Sequence, residues 1–166
     1  MATALFINRT DLVKNSIIDG NVDTDKFIQY VKIAQDVHIQ NYLGTDLYEK
    51  IENDILASSL AGDYLTLVNT YVKDCLIHWA MVEYLPFAAI TISNKGVYKH
   101  NSENATNVEK NEIDYLVEKE RTIAQYYTNR LIDHLSFEAS SKYPEYYTNN
   151  NEDVYPDKDL FGGWVI

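Results

Sequence analysis

Between Asp63 and Leu85 apolar residues recur at helical spacing, as Leu65, Val68, Val72, Cys75, Leu76, Trp79, Val82 and Leu85, and the run stops at Pro86. Apolar positions three and four apart share one face of a 3.6-residue helix, so this stretch must be covered by other elements to leave water. Pro86 lacks the N–H that the helical ladder needs and biases Leu85 away from helical geometry, which ends or kinks the helix there. The segment is the expected centre of a helical bundle. The most apolar window, Cys75–Ile92, approaches the length of a membrane span, but His78, Glu83 and Pro86 interrupt it and it reads as core.

Two further helical patterns precede this centre. Asp23 can cap a helix from Thr24 to Tyr42 with Phe27, Ile28, Val31, Ala34 and Val37 on one face, and Leu43-Gly44 supplies its glycine stop. Thr45-Asp46 then opens a shorter helix that buries Leu47, Tyr48, Ile51 and Ile55. A small-residue linker from Ser58 leads to Asp63, the expected cap of the central helix. Beyond Pro86, Ile90–Ser93 and Val97–His100 flank Asn94-Lys95-Gly96, the pattern of a small β-hairpin. A long helix from about Val108 to Ser136 follows, carrying Ile113, Leu116, Val117, Ile123, Ala124, Tyr127, Leu131 and Leu135.

The expected fold is all-α: a bundle of about four helices with a small β-hairpin and an extended C-terminal tail. An N-terminal arm occupies residues 1–22, with Thr10-Asp11 capping a short helical turn. The bundle core occupies 23–137, with the hairpin near 90–100. An extended aromatic tail occupies 138–166, where Pro144, the Asn149-Asn150-Asn151 run, Pro156 and Gly162-Gly163 leave no period. The 166 residues suit one domain, and no internal repeat is visible.

Fourteen Lys and Arg against 25 Asp and Glu give a net charge of −11. A footprint that grips many phosphates is thereby disfavoured. Cys75 is the single cysteine, which excludes an internal disulfide and a multi-cysteine zinc site and suits a reducing compartment. Residues 1–7 carry no early positive charge, so no secretory leader is expected and the protein starts in the cytoplasm.

Catalytic patterns are missing from the sequence. No Glu-x-x-His pair, nucleophile elbow or phosphate-binding glycine loop occurs, and no cofactor is expected. Asp74 and His78 stand four apart on the central helix and read as a hydrogen-bonding pair at the core edge, while His38, His100 and His134 share no spacing. Cys75 lies on the apolar face, where a thiol packs as a small hydrophobe. A ligand- or metal-binding bundle remains an alternative, with Asp74, His78 and Glu83 near Trp79 as its nucleus.

The unusual features concern surfaces. Fourteen tyrosines are present, and Tyr143, Tyr146, Tyr147 and Tyr155, with Phe161 and Trp164, fall in the tail, where no local core exists to bury them. These aromatic anchors are expected to dock on a partner, and wrapping back over the chain's own bundle is the competing reading. The hairpin residues Ile90, Ile92, Val97 and Tyr98 are candidates for contact with a neighbouring subunit, against a hairpin that merely turns the chain.

The segment Ala34-Gln35-Asp36-Val37-His38-Ile39-Gln40-Asn41-Tyr42-Leu43-Gly44-Thr45-Asp46-Leu47-Tyr48, preceded by Phe6-Ile7-Asn8-Arg9-Thr10-Asp11-Leu12, resembles head-to-tail connector (adaptor, head completion ring) proteins of tailed bacteriophages. The resemblance leans toward the ring proteins of crAss-like phages. It extends to Asp74-Cys75-Leu76-Ile77-His78-Trp79-Ala80, to Ile92-Ser93-Asn94-Lys95-Gly96 and to Gly162-Gly163-Trp164.

The resemblance implies a virion protein of the neck, made in the host cytoplasm, that assembles beneath the portal protein as a homo-oligomeric ring, usually of twelve subunits. It also implies contacts with neighbouring ring or tail proteins and a channel through which DNA passes without sequence-specific binding. No membrane and no catalysis are implied. Glu109, Glu112, Glu118 and Glu120 on the long helix are the candidate lumen acids, since carboxylates facing phosphates oppose a grip that would stall a moving duplex. An acidic host-directed inhibitor is a further alternative.

Overall fold

A computed structural model describes residues 4–18, 23–88, 90–93, 96–99, 109–149 and 153–157. The chain opens with Ala4, Phe6 and Ile7 buried, followed by α1 (Arg9–Asn15). Asn8, rather than Thr10 or Asp11, is the cap: its side chain accepts from the Asp11 N–H while the Asp11 carboxylate accepts from the Asn8 N–H, a reciprocal capping box. The arm is fastened by Gln35, fully buried, whose Oε1 accepts from Phe6 N at 2.9 Å and whose Nε2 donates to Ala4 O at 2.8 Å and Tyr48 Oη at 2.9 Å. Burying an amide is tolerated because each of these groups finds a partner.

The expected helix from Thr24 is present as α2 (Thr24–Ala34), a π turn over Gln35–Ile39 and α3 (Gln40–Leu43). Phe27, Val31 and Ala34 are buried as the period requires. Val37 is not, at 50% exposure, because the wide turn brings Gln35 and Ile39 inward instead. Gly44 ends α3 at φ 75°, ψ 158°, a region only glycine enters without strain, and α4 (Thr45–Leu56) starts immediately after it.

The central helix also contains a π turn, running as α5 (Gly62–Leu67), Val68–Val72 and α6 (Lys73–Tyr84). Its cap position is Ala61 rather than Asp63, and Leu65 is 39% exposed while Leu67 takes the inward place. In α6, Cys75, Leu76, Ile77, Trp79, Ala80, Met81 and Val82 are all buried, so the helix is apolar nearly all round, as befits a helix that α2 covers on one side and the long C-terminal helix on another. It closes in a 3-10 turn over Leu85–Phe87, where Pro86 sits. Strands β1 (Ile90–Ser93) and β2 (Gly96–Lys99) follow as an antiparallel pair with Ile92 opposite Val97 and Thr91 opposite Tyr98.

The long helix α7 spans Lys110–Lys142, 33 residues or roughly 50 Å at 1.5 Å per residue. It begins with a second capping box, between Glu109 and Glu112, and its buried face carries Ala124, Thr128, Leu131, Ile132, Leu135 and Ala139. The expected stop at Ser136 is thus six residues early, and the extended tail expected from residue 138 is not found there. After α7, Tyr143 leads into α8 (Pro144–Thr148), and Tyr143 and Tyr146 are both 1% exposed within the core. Among the described residues no helix is long and apolar enough to cross a membrane.

Candidate interaction site

The residues proposed as a polar nucleus around Trp79 do not converge. His78 belongs to α6 and reaches α7, where its Nδ1 lies 2.7 Å from Glu120 Oε2 and its ring stacks on Tyr127. Glu83, one turn further on, accepts instead from His38 Nε2 at 2.9 Å. The His38 ring lies flat on the Trp79 indole, with centroids 4.0 Å apart and planes inclined by 12°. Trp79 Nε1 donates to Thr128 Oγ1 at 2.9 Å, and Cys75 Sγ meets the same hydroxyl at 3.3 Å. Two His–Glu pairs and one hydroxyl node thus brace the π turn, α6 and α7 against one another, and the expected Asp74–His78 pair does not form.

Each of these groups has its partner within the bundle. Burial pushes the Cys75 thiol up to about 12, which removes the thiolate a nucleophile or metal ligand requires. Among the described residues no group of three or more His, Cys, Asp or Glu is arranged to hold a metal ion. His134 stacks on Tyr71 at 4.0 Å and meets Tyr143 Oη at 3.2 Å, and burial lowers its pKa. His100 lies outside the described residues.

The tail aromatics divide. Tyr143 donates to the Asp63 carbonyl and packs edge-on against Tyr64, whose own hydroxyl donates to Glu145 at 2.8 Å. Tyr143 and Tyr146 therefore serve the chain's own core and are withdrawn as docking residues, because α8 folds back beside α4 and the Tyr64 turn. Tyr147 and Tyr155 remain 48% and 68% exposed. Phe161 and Trp164 lie outside the described residues.

Asn149 and residues 153–157 strap the corner where α3 meets α4. Thr45 N donates to Val154 O and Val154 N donates to Thr45 Oγ1, both at 3.0 Å, and Asp157 N donates to Asn41 O at 2.7 Å. Asn149, buried at positive φ, accepts from Asp46 N and donates to Val154 O. Pro156 rests on Gly44 so closely that an added Cβ would stand 2.8 Å from its Cδ. Asn149 and residues 153–157 thus pack on the chain's own bundle, while the Tyr147 and Tyr155 side chains stay exposed.

Of the candidate lumen acids, Glu109, Glu112 and Glu118 are exposed, and Glu118 pairs with Arg121 at 3.0 Å. Glu120 is turned inward, with a side chain 13% exposed against His78, and is withdrawn from that set. For Ile90, Ile92, Val97 and Tyr98 the backbone pairing is described and the side chains are outside the described part.

Sequence reasoning overlooked the most exposed aromatics of the bundle. Tyr115, Tyr126 and Phe137 on α7 are 68%, 65% and 84% exposed. Their signal was present in the numbering: eleven residues separate each from the next, close to three helical turns, so they share the face opposite the buried set. Shallow grooves flank the first two, one beside Asn111, Glu112 and Leu116 and one beside Arg121, Gln125 and Asn129.

Residues 39–155, from the π turn before the corner to the strap that closes it, match a family of unknown function, DUF6712. The chain belongs to the DUF6712 family. No curated protein and no solved structure matches it. The DUF6712 match takes in both partners of the corner, Gly44 and Val154, as well as the His78–Glu120 brace.

Proposed function

We propose that this DUF6712 protein is a non-enzymatic structural component of a tailed-phage virion, a subunit of a ring seated beneath the portal that joins capsid to tail and extends the DNA channel. The ring is homo-oligomeric, of twelve copies as in the connector proteins the sequence resembles, and needs no cofactor. The observation that carries the reading is that the first part of α7 extends past the chain's own core, with a two-stranded ribbon preceding it in the chain. No residue from Glu109 to Ile123 is buried, although these residues form four turns of α7. Among the described residues the β1–β2 ribbon is a sheet of two strands, which in isolation is marginal in water.

Elements of this kind are completed by neighbours. The projecting part of α7 carries Glu109, Glu112 and Glu118, three exposed carboxylates suited to a wall past which DNA moves. The ribbon offers its open edges to the next subunit, with Ile90, Ile92, Val97 and Tyr98 as its contacts. Mass photometry and negative-stain microscopy of the full chain, alone and mixed with portal protein, test the assembly. A closed ring on the portal is expected. A chain that neither closes into a ring nor binds portal refutes the proposal.

A further inference from the structure

The exposed stripe on α7 has an internal symmetry. Tyr126 stands midway between Tyr115 and Phe137, eleven residues from each, which is about 16 Å along the helix in either direction. Between the aromatics lie Lys119, seven residues before Tyr126, and Asp133, seven residues after it, both exposed. Neither is held in an ion pair among the described residues. Turned end over end about Tyr126, the pattern maps onto itself: aromatic meets aromatic, and the unpaired cation meets the unpaired anion.

We propose that this face binds a second copy of the same chain, as an antiparallel pair of α7 helices related by a twofold axis through Tyr126. In that register Tyr115 lies across from the partner's Phe137, Tyr126 from the partner's Tyr126, and Lys119 from the partner's Asp133. An isologous contact requires a surface complementary to its own inversion, and equal spacing with opposite charges at equal distance from the centre meets that requirement. A parallel pair would set Lys119 beside Lys119 and Asp133 beside Asp133, so charge selects the antiparallel sense.

The size of the contact sets its strength. Each ring leaves well over half of its surface exposed, and aromatic side chains bury about 150–250 Å² apiece, so the six rings together remove on the order of 800 Å². Flanking Thr122, Asn129 and Arg130 bring the total to the lower end of specific interfaces, roughly 1,200 Å². The pair is therefore a micromolar dimer rather than an obligate one. It closes at two copies and does not use the ribbon; it shares α7 with the proposed channel wall, and because it is read from the chain alone its failure is distinguishable from a failure to form a ring on the portal.

Sedimentation equilibrium of the full chain at about 0.15 M salt, where long-range repulsion between acidic chains is screened, measures it. A monomer–dimer equilibrium with a Kd of about 1–10 μM is expected. Asp133→Lys, which opposes two lysines, should weaken it at least about tenfold, and Lys119→Asp combined with Asp133→Lys should restore it. All these positions are exposed, so circular dichroism should show unchanged folding. Tyr126→Cys should crosslink to its own copy under mild oxidation, since Cys75 is fully buried and does not compete. A chain monomeric at about 100 μM overturns the inference. So does a dimer indifferent to Asp133→Lys, or one that the charge swap fails to rescue. If ring protection of Tyr115 and Tyr126 in a monomeric chain vanishes on removal of residues 158–166, the stripe belongs to the chain's own terminus.

Discussion

Gly44→Ala tests whether the C-terminal strap is an integral part of the bundle. Two effects add at this position. A φ of 75° with ψ of 158° is strained for any residue with a Cβ, by about 1–3 kcal/mol. The new methyl would also stand 2.8 Å from Pro156 Cδ, nearer than real Cβ contacts come, so the strap must lift. Lifting it stretches the bonds of Thr45 to Val154 and of Asp157 to Asn41, each net about 1 kcal/mol. If the bonds are lost, a total of about 4–6 kcal/mol follows, or roughly 8–24 °C in Tm for a domain of this size. Urea and thermal unfolding of the full chain measure it. Pro156→Ala removes the Cδ but leaves the dihedral strain, so the double variant should recover about 1 kcal/mol relative to the sum of the singles. A Gly44→Ala loss below about 0.5 kcal/mol, or strict additivity of the pair, would refute the argument that the strap presses on this glycine.

Trp79→Ala removes a buried indole stacked on His38 and leaves Thr128 without its N–H donor; a loss of about 3–5 kcal/mol in urea melts is expected, and a loss under about 1 kcal/mol would mean the α6 faces are wrongly assigned. His134 gives a pH signature. Burial lowers its folded pKa, so below its ordinary value near 6.5 the unfolded chain binds the extra proton first. Its contribution to stability is complete above that value and declines as the pH falls from it toward the lower folded pKa; the urea midpoint should drop over that range, and less in His134→Gln. An equal drop in both proteins would remove His134 as the cause.

The sequence was legible where one face of one helix decides burial. Phe27, Val31 and Ala34 in α2, Leu47, Tyr48 and Ile51 in α4, and Val72, Cys75, Leu76, Trp79, Val82 and Leu85 in the centre were all placed correctly by period alone, which left out the equally buried Ile77, Ala80 and Met81. It misled at Val37, inside one π turn, and at Leu65, three residues before the other, because an extra residue in a turn leaves no compositional mark. Tyr143 and Tyr146 misled for a different reason. Proline and asparagine around them break the local period, yet Asp63 and Tyr64, about eighty residues away, meet Tyr143, and the return of α8 beside α4 buries Tyr146. Glu120 illustrates the same point for the site: its neighbours in sequence are solvated, and only the approach of His78 from α6 turns it inward. Tertiary contact, not propensity, made these choices.

The corner at Thr45 joins strands of history as well as of structure. Its hydrogen-bond partner, Val154, lies 109 residues downstream. During synthesis α2, α3 and α4 emerge first, and a ribosome must add the central helix, the ribbon and all of α7 before Val154 exists. Until then the Thr45 N–H lacks its native acceptor, and its hydroxyl has only Gln40 and water. Contacts of such long sequence separation form late, because the loop between them must be closed before they contribute. A stalled or prematurely terminated chain would thus carry every helix of the bundle and still lack the closure over Gly44, a distinction that a quality-control protease, probing the α3–α4 corner, could read directly.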